Sequence, residues 1–246
     1  MKSILFCTSY IRNEQAWQQR YQRWLNYYQD GPIEAVRKIM IDDGSPWLPT
    51  PDIIKTVPST APLSLFNDDK VIVRFADNLG RQSVSAYPGW WRSFLHGVTL
   101  ARELGVDKLI HIESDAYILS QHLADFINGI ESGWHVLWCQ RYRFPETAIQ
   151  VICGDQFEMF EQFKACQPDL KDGDLAENLL PFTAVHRQFK GERYSEMQKN
   201  RGFLRSKKFD FIPLLQRPFF RESIPDDADF VTQAVISQQF AFRKNS

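Results

Sequence analysis

"DKLIHIESDAYIL", residues 107–119, is the stretch on which the fold turns. Its apolar first half reads as a strand buried on both faces, since such strands show near-continuous hydrophobic runs. Alternation along a strand sends residues two apart to one face, so Glu113 and Asp115 are expected to point together while Ser114 points away. Two close carboxylates raise each other's proton affinity unless a cation or hydrogen-bond donors lie between them. The pair therefore calls for a positive partner.

Working outward, "SILFCTSYI" (3–11) predicts a first buried strand. In the segment after it, Trp17, Tyr21, Trp24, Leu25 and Tyr28 recur at helical intervals before a Gly31-Pro32 stop. "VRKIMIDDGSP" (36–46) predicts a second strand, Lys38 to Ile41, ending in two aspartates and a turn. The proline-bearing stretch 47–69 reads as irregular connection. "KVIVRFADNLG" (70–80) gives a third strand, and Trp90 to Leu104, closed by Gly105, a helix. The fourth strand is 107–119. A helix over 120–133 follows, capped by Ser120 and closed by Gly133. "WHVLWCQRYRF" (134–144) and "TAIQVICG" (147–154) are the fifth and sixth strands.

Strands alternating with helices of this length predict an α/β protein with a mostly parallel central sheet flanked by helices. Polar residues gather where the strands end, and in an open α/β sheet ligands bind along that edge. Past about residue 165 the pattern loosens.

The bulk numbers fit an ordinary globular chain. Its 246 residues are ample for one large domain, 43% are hydrophobic, and 29 basic side chains stand against 30 acidic ones. That balance excludes a nucleic-acid footprint. The four cysteines have no CxxC spacing, which argues against a zinc ribbon or a disulfide framework and for reduced thiols. No signal-peptide or membrane-spanning run is present, so a cytoplasmic location is expected, with peripheral contact at the inner face of a membrane left open. Aromatics reach 14%, with the Trp90-Trp91 pair read chiefly as core.

Three stretches, "CTSYIRNE" (7–14), "IMIDDGSP" (39–46) and "HIESDAYI" (111–118), carry a resemblance to nucleotide-sugar glycosyltransferases of the GT-A fold, nearest the family-two group. "NLGRQ" and "GWWRSFLHGVTLARELG" precede the third. The likeness covers roughly residues 1–135. It implies one GT-A-like domain over 1–246, with a donor half (1–135) and an acceptor half with C-terminal helices (136–246). It also implies that the aspartate after the second strand touches base or ribose, and that a DxD-like pair holds a divalent cation on the donor diphosphate. Here "ESD" replaces the commoner "DxD", and the family's later "ED" motif is not plain.

On these grounds Thr8, Tyr10, Arg12, Asp42, Asp43, Asn78, Arg81 and Glu113 are the candidate nucleotide contacts. Asp115, Glu113 and His186 are the candidate ligands for Mn²⁺ or Mg²⁺, and Lys190 and Arg193 the candidate diphosphate contacts. A hard divalent ion with oxygen ligands would neutralise the leaving nucleoside diphosphate. An inverting transferase needs a carboxylate to take the acceptor's proton, and Asp174 and Glu177 in "KDGDLAENLLPF" are the candidates; the same spacing also reads as a capping box. The basic stretch "RGFLRSKKFDF" (201–211) reads as a solvated face, or as a contact for anionic lipid or acceptor.

The expected function is metal-dependent transfer of a sugar from a UDP-linked donor to a glycan or lipid-linked acceptor, with inversion. Two competitors share the sheet. One is a sugar-phosphate nucleotidyltransferase, disfavoured because "CTSYIRNE" lacks the glycine-rich loop of that class. The other is a non-catalytic nucleotide- or glycan-binding protein.

Overall fold

In the computed structural model, residues 1–65, 67–83, 86–166, 175–195 and 223–244 are described. The first strand, β1 (Ser3–Ser9), is buried throughout. It sits between β2 (Arg37–Asp42) and β5 (Lys108–Ile112), parallel to both. Outside β2 lie β4 (Lys70–Arg74) and then β3 (Lys55–Pro58), again parallel. On the other side, β8 (Phe144–Cys153) runs antiparallel between β5 and β7 (Trp134–Cys139), and β9 (Ala184–His186) closes the edge. The sheet order is β3-β4-β2-β1-β5-β8-β7-β9, mostly parallel as the sequence predicts. The order reverses between β1 and β5, and at such a switch point the loops leaving the two strands diverge and open a crevice.

Period-two alternation sorts the core into two layers. Leu5, Cys7, Met40, Ile72 and Ile110 face the N-terminal helix, meeting Trp17, Tyr21, Trp24 and Tyr28. Ile4, Phe6, Ile39, Val71 and Leu109 face the opposite way, onto Phe94 and Val98 of α3 (Pro88–Leu104) and Phe160 of α5 (Phe157–Ala165). Gly105 ends α3 in the left-handed conformation that the sequence asks of a stop residue. Ser120 caps α4 (Gln121–Gly129) by accepting from the Leu123 amide at 3.2 Å.

Several expectations shift. The N-terminal helix is composite: α1 (Glu14–Ala16) runs through a π-helical turn, Trp17–Tyr21, into α2 (Gln22–Gln29). The irregular stretch 47–69 contains β3, a short edge strand whose proline falls at its end, where no ladder donor is missed. Residues 134–144 are not one strand, because a turn with Arg143 at φ 56° folds β8 back onto β7. The α4 helix stops at Gly129, four residues before the expected Gly133.

Residues 107–119 are not one strand either. The Ala116 amide bonds back to the Glu113 carbonyl at 2.8 Å, a turn that ends β5. The chain resumes as β6 (Tyr117–Ile118) in a second sheet ordered β10-β11-β6. There β11 (Phe230–Val231) pairs antiparallel with β6 and parallel with β10 (Gly191–Glu192). Phe230 and Val231 join the same apolar layer as Leu5 and Trp24.

Candidate functional site

The "DDGS" turn leaves β2 at the carboxyl edge of the sheet. Asp42 is fully enclosed and accepts from the Ser45 amide (2.8 Å), the Ser45 hydroxyl (2.5 Å) and Ser9 Oγ (3.0 Å). Burial pushes its proton affinity up, and the serine bonds offset part of that rise. Gly44 turns the chain at φ +67°, where a side chain would run into the Asp77 carbonyl. Asp43 reaches across to the loop after β4, accepting from Asn78 Nδ2 (2.9 Å), the Gly80 amide (2.8 Å) and Arg92. Both expected base or ribose contacts are thus committed to loop architecture, and Asp42 has no exposed surface to offer a ligand.

Glu113 faces α3. Its carboxylate accepts from Thr8 Oγ1 (2.9 and 3.0 Å to its two oxygens), from His111 Nε2 (3.2 Å) and from the Trp90 indole in the first turn of α3. The tautomer follows from a buried chain of donors. Trp134 donates to Gln150 Oε1 (2.9 Å), leaving the Gln150 amide nitrogen to face His111 Nδ1 at 3.5 Å. His111 then presents its Nε2 proton to Glu113. Burial alone would raise the Glu113 pKa, but the hydrogen bonds from His111 and Trp90 hold it below the ordinary value.

Asp115 faces the other helix layer. Because the 113–116 turn breaks the alternation, the two carboxylates do not share a face as the sequence suggests. Asp115 is nearly buried and pairs at 3.1 Å with Nη2 of Arg20, in the π-helical turn. Arg20 Nε donates to the buried Ser114 Oγ at 2.7 Å. The positive partner the sequence calls for is, in this structure, a guanidinium.

The remaining candidates scatter. Tyr10 and Arg12 are exposed at the end of β1, and the Tyr21 hydroxyl holds the Tyr10 backbone by both its amide (3.0 Å) and carbonyl (2.9 Å). Arg81 lies on the surface, bonded to the Ser83 carbonyl at 2.8 Å. His186 is on β9, three strand spacings from β5, about 14 Å at roughly 4.8 Å per strand. It stacks on His135, Nε2 to Nδ1 2.8 Å, away from Glu113 and Asp115. Lys190 is exposed and paired with Asp227. Arg193 is buried in a two-point pair with Glu146, at 2.8 and 3.1 Å.

Glu177, at the start of the short helix α6 (Ala176–Leu179), does reach the rim. Because β8 runs backwards, its early residues Glu146 and Thr147 arrive beside the end of β5, where the Glu113 amide bonds to the Ala148 carbonyl (2.9 Å). Thr147 Oγ1 is 3.4 Å from the Glu177 carboxylate, and Arg193 Nη2 is 3.9 Å from it. On the α3 side the Tyr87 hydroxyl accepts from the Ala176 amide at 3.3 Å, and Tyr87 stands edge-on to Trp90. Burial raises the Glu177 pKa above the ordinary carboxylate value. Asp174 and the basic stretch 201–211 lie outside the described residues.

A divalent ion would call on Asp115 and Glu113. Asp115 is neutralised by Arg20, and one oxygen of Glu113 is shared by Thr8, Trp90 and His111. Among the described residues no three His, Cys, Asp or Glu side chains gather to hold an ion. The residues as placed do not fit a divalent ion.

No family model matches the chain. No curated protein matches it. Solved structures do. One is a glycosyltransferase involved in glycosylation of the major capsid of PBCV-1 (8% identity, TM-score 0.40, covering 95% of this chain and 94% of that one). A second is a protein assigned as a glucose-1-phosphate thymidylyltransferase of Bacillus anthracis, in complex with sucrose (13%, 0.41, 71% and 80%). A third is HddC from Yersinia pseudotuberculosis (8%, 0.37, 75% and 90%). All three superpose loosely, so the fold is assigned on the strand order itself. That order, with its switch point and one reversed strand among the described residues, is an α/β fold with a mostly parallel central sheet flanked by helices, consistent with a GT-A-like fold.

Proposed function

We propose that the protein is a glycosyltransferase that takes a sugar from a nucleotide-diphospho-sugar, UDP-linked in the first instance, and passes it to a glycan or lipid-linked hydroxyl with inversion. One observation carries this reading. At the carboxyl ends of β1 and β5 stand an ionised carboxylate held by donors (Glu113) and a cation (Arg20), and beside them Thr147, early in β8, holds a carboxylate of raised proton affinity (Glu177).

Their roles follow from the chemistry. Glu177, held by Thr147, takes the proton of the acceptor hydroxyl as its oxygen bonds to the anomeric carbon. The bond from that carbon to the diphosphate oxygen breaks on the opposite side, and the nucleoside diphosphate leaves with the electron pair. Negative charge builds on the phosphate and must be met by a positive group already in place. Glu113 accepts from ligand hydroxyls through the oxygen that, among the described residues, only Thr8 contacts.

The test is release of nucleoside diphosphate from a panel of nucleotide sugars, with and without hydroxyl acceptors. UDP release from one donor is the expected result. Release of pyrophosphate from a nucleoside triphosphate and a sugar phosphate would establish the nucleotidyltransferase reading instead. Binding with no turnover of any donor would mark a non-catalytic binding protein.

A further inference from the structure

We propose that Arg20 is the resident cation of this crevice, and that its guanidinium, in place of a divalent ion, receives the diphosphate of the donor nucleotide. The inference rests on the nucleotide-sugar reading above and adds to it the group that meets the phosphates.

The placement is specific. Arg20 belongs to the π-helical turn Trp17–Tyr21, which follows the end of β1 and lies against the 113–116 turn at the end of β5. A π turn carries more residues than an α turn, occurs mostly as a single-turn bulge inside an α-helix, and is frequent at functional sites. Two anchors fix the guanidinium: Nε on Ser114 Oγ at 2.7 Å and Nη2 on Asp115 at 3.1 Å. Nη1 makes no hydrogen bond with any other described residue, and the side chain keeps 41% of its surface open. An arginine held on one edge and open on the other offers a planar fork to phosphate oxygens without having to order itself first.

Electrostatics favours the same conclusion. Arg20 already neutralises Asp115, so a divalent ion entering there would have to displace a charge-assisted pair and then sit beside the displaced guanidinium. Two other arginines near the rim are committed elsewhere. Arg92 is held by Asp43 and Asp77, and Arg193 is buried against Glu146. Arg20 is the one of these three with both an anchored and an open edge.

The experiment is calorimetric titration of the full chain with UDP, GDP and dTDP, once in EDTA and once with added MnCl₂. One nucleotide should bind in EDTA with a Kd within about threefold of its Mn²⁺ value, and Arg20→Gln should weaken that EDTA binding by about tenfold or more, roughly the loss of one charge-assisted contact. Arg20→Lys, which keeps the charge without the fork, should fall between the two. Binding that vanishes in EDTA and returns with Mn²⁺ overturns the inference while leaving the transferase reading intact. Binding in EDTA undiminished by Arg20→Gln also overturns it. No binding of any of the three nucleotides in either condition removes the nucleotide-sugar reading itself. Even if the variants fold poorly, the wild-type arm still overturns the inference when binding requires Mn²⁺.

Discussion

Glu113 and Glu177 are both withdrawn from water, yet their proton affinities move in opposite directions. Glu113 is surrounded by donors that favour its anion, whereas Glu177 has burial and a second carboxylate, Glu146, acting against its charge. A base must be deprotonated to act, so turnover should fall as pH drops through the raised Glu177 pKa. Glu177→Gln should lower kcat by about 100-fold or more and abolish that acid limb, with the Kd for the nucleoside diphosphate unchanged. Stability carries the opposite sign: the Glu177 contribution is complete below the unfolded pKa and is lost as pH rises through the folded one. The buried Arg193–Glu146 pair makes a separate prediction. Glu146→Ala leaves a buried guanidinium unpaired and should cost about 3–5 kcal/mol in urea unfolding, while Glu146→Leu with Arg193→Met should recover most of it. Of the residues at this rim, Thr8, Glu113, Asp115 and Glu177 were legible as polar groups at strand or helix ends. Arg20 was not, because a helical period marks which residues point inward and says nothing to tell Arg20 from Arg23. His111 was within reach, since it precedes Glu113 by two residues and alternation puts both on one face.

At the level of elements, periodicity located β1, β2, α3 and α4, because each buries a regular stripe. It failed where the chain turns without a glycine or proline. "HIESDAYI" keeps its apolar pattern straight through the 113–116 turn, so one predicted strand became two pieces in two sheets. The hairpin at 140–143 hid for the same reason, its positive φ falling on Arg143. The contact between the "DDGS" turn and α3 is equally invisible in sequence, although it ties the end of β2 to that helix. Gly89 packs so closely on the Asp43 carboxylate that a methyl group would occupy its place. Gly89→Ala should therefore push Asp43 off the 78–80 loop, cost about 1–3 kcal/mol of stability, and weaken nucleotide binding. Thermal unfolding beside nucleotide titration checks both effects. Tyr21→Phe should release the Tyr10 backbone, costing about 1–2 kcal/mol in the same measurement.

The whole molecule is closed by its late residues. In the second sheet β11 stands between β10 and β6, and Phe230 and Val231 share a core layer with Leu5 and Trp24. A chain ending at residue 222 loses β11 and exposes Tyr117 and Ile118, and it should lack a cooperative thermal transition by calorimetry. Among the described residues no helix is long and apolar enough to cross a membrane. The large sheet, for its part, ends in β3, four residues finished by Pro58 and carrying Lys55, and in the three-residue β9. Margins that brief leave little unpaired backbone for a neighbour to zip onto, and an imino nitrogen plus an ammonium discourage it further. Concentrated preparations should accordingly resist fibril seeding through these borders.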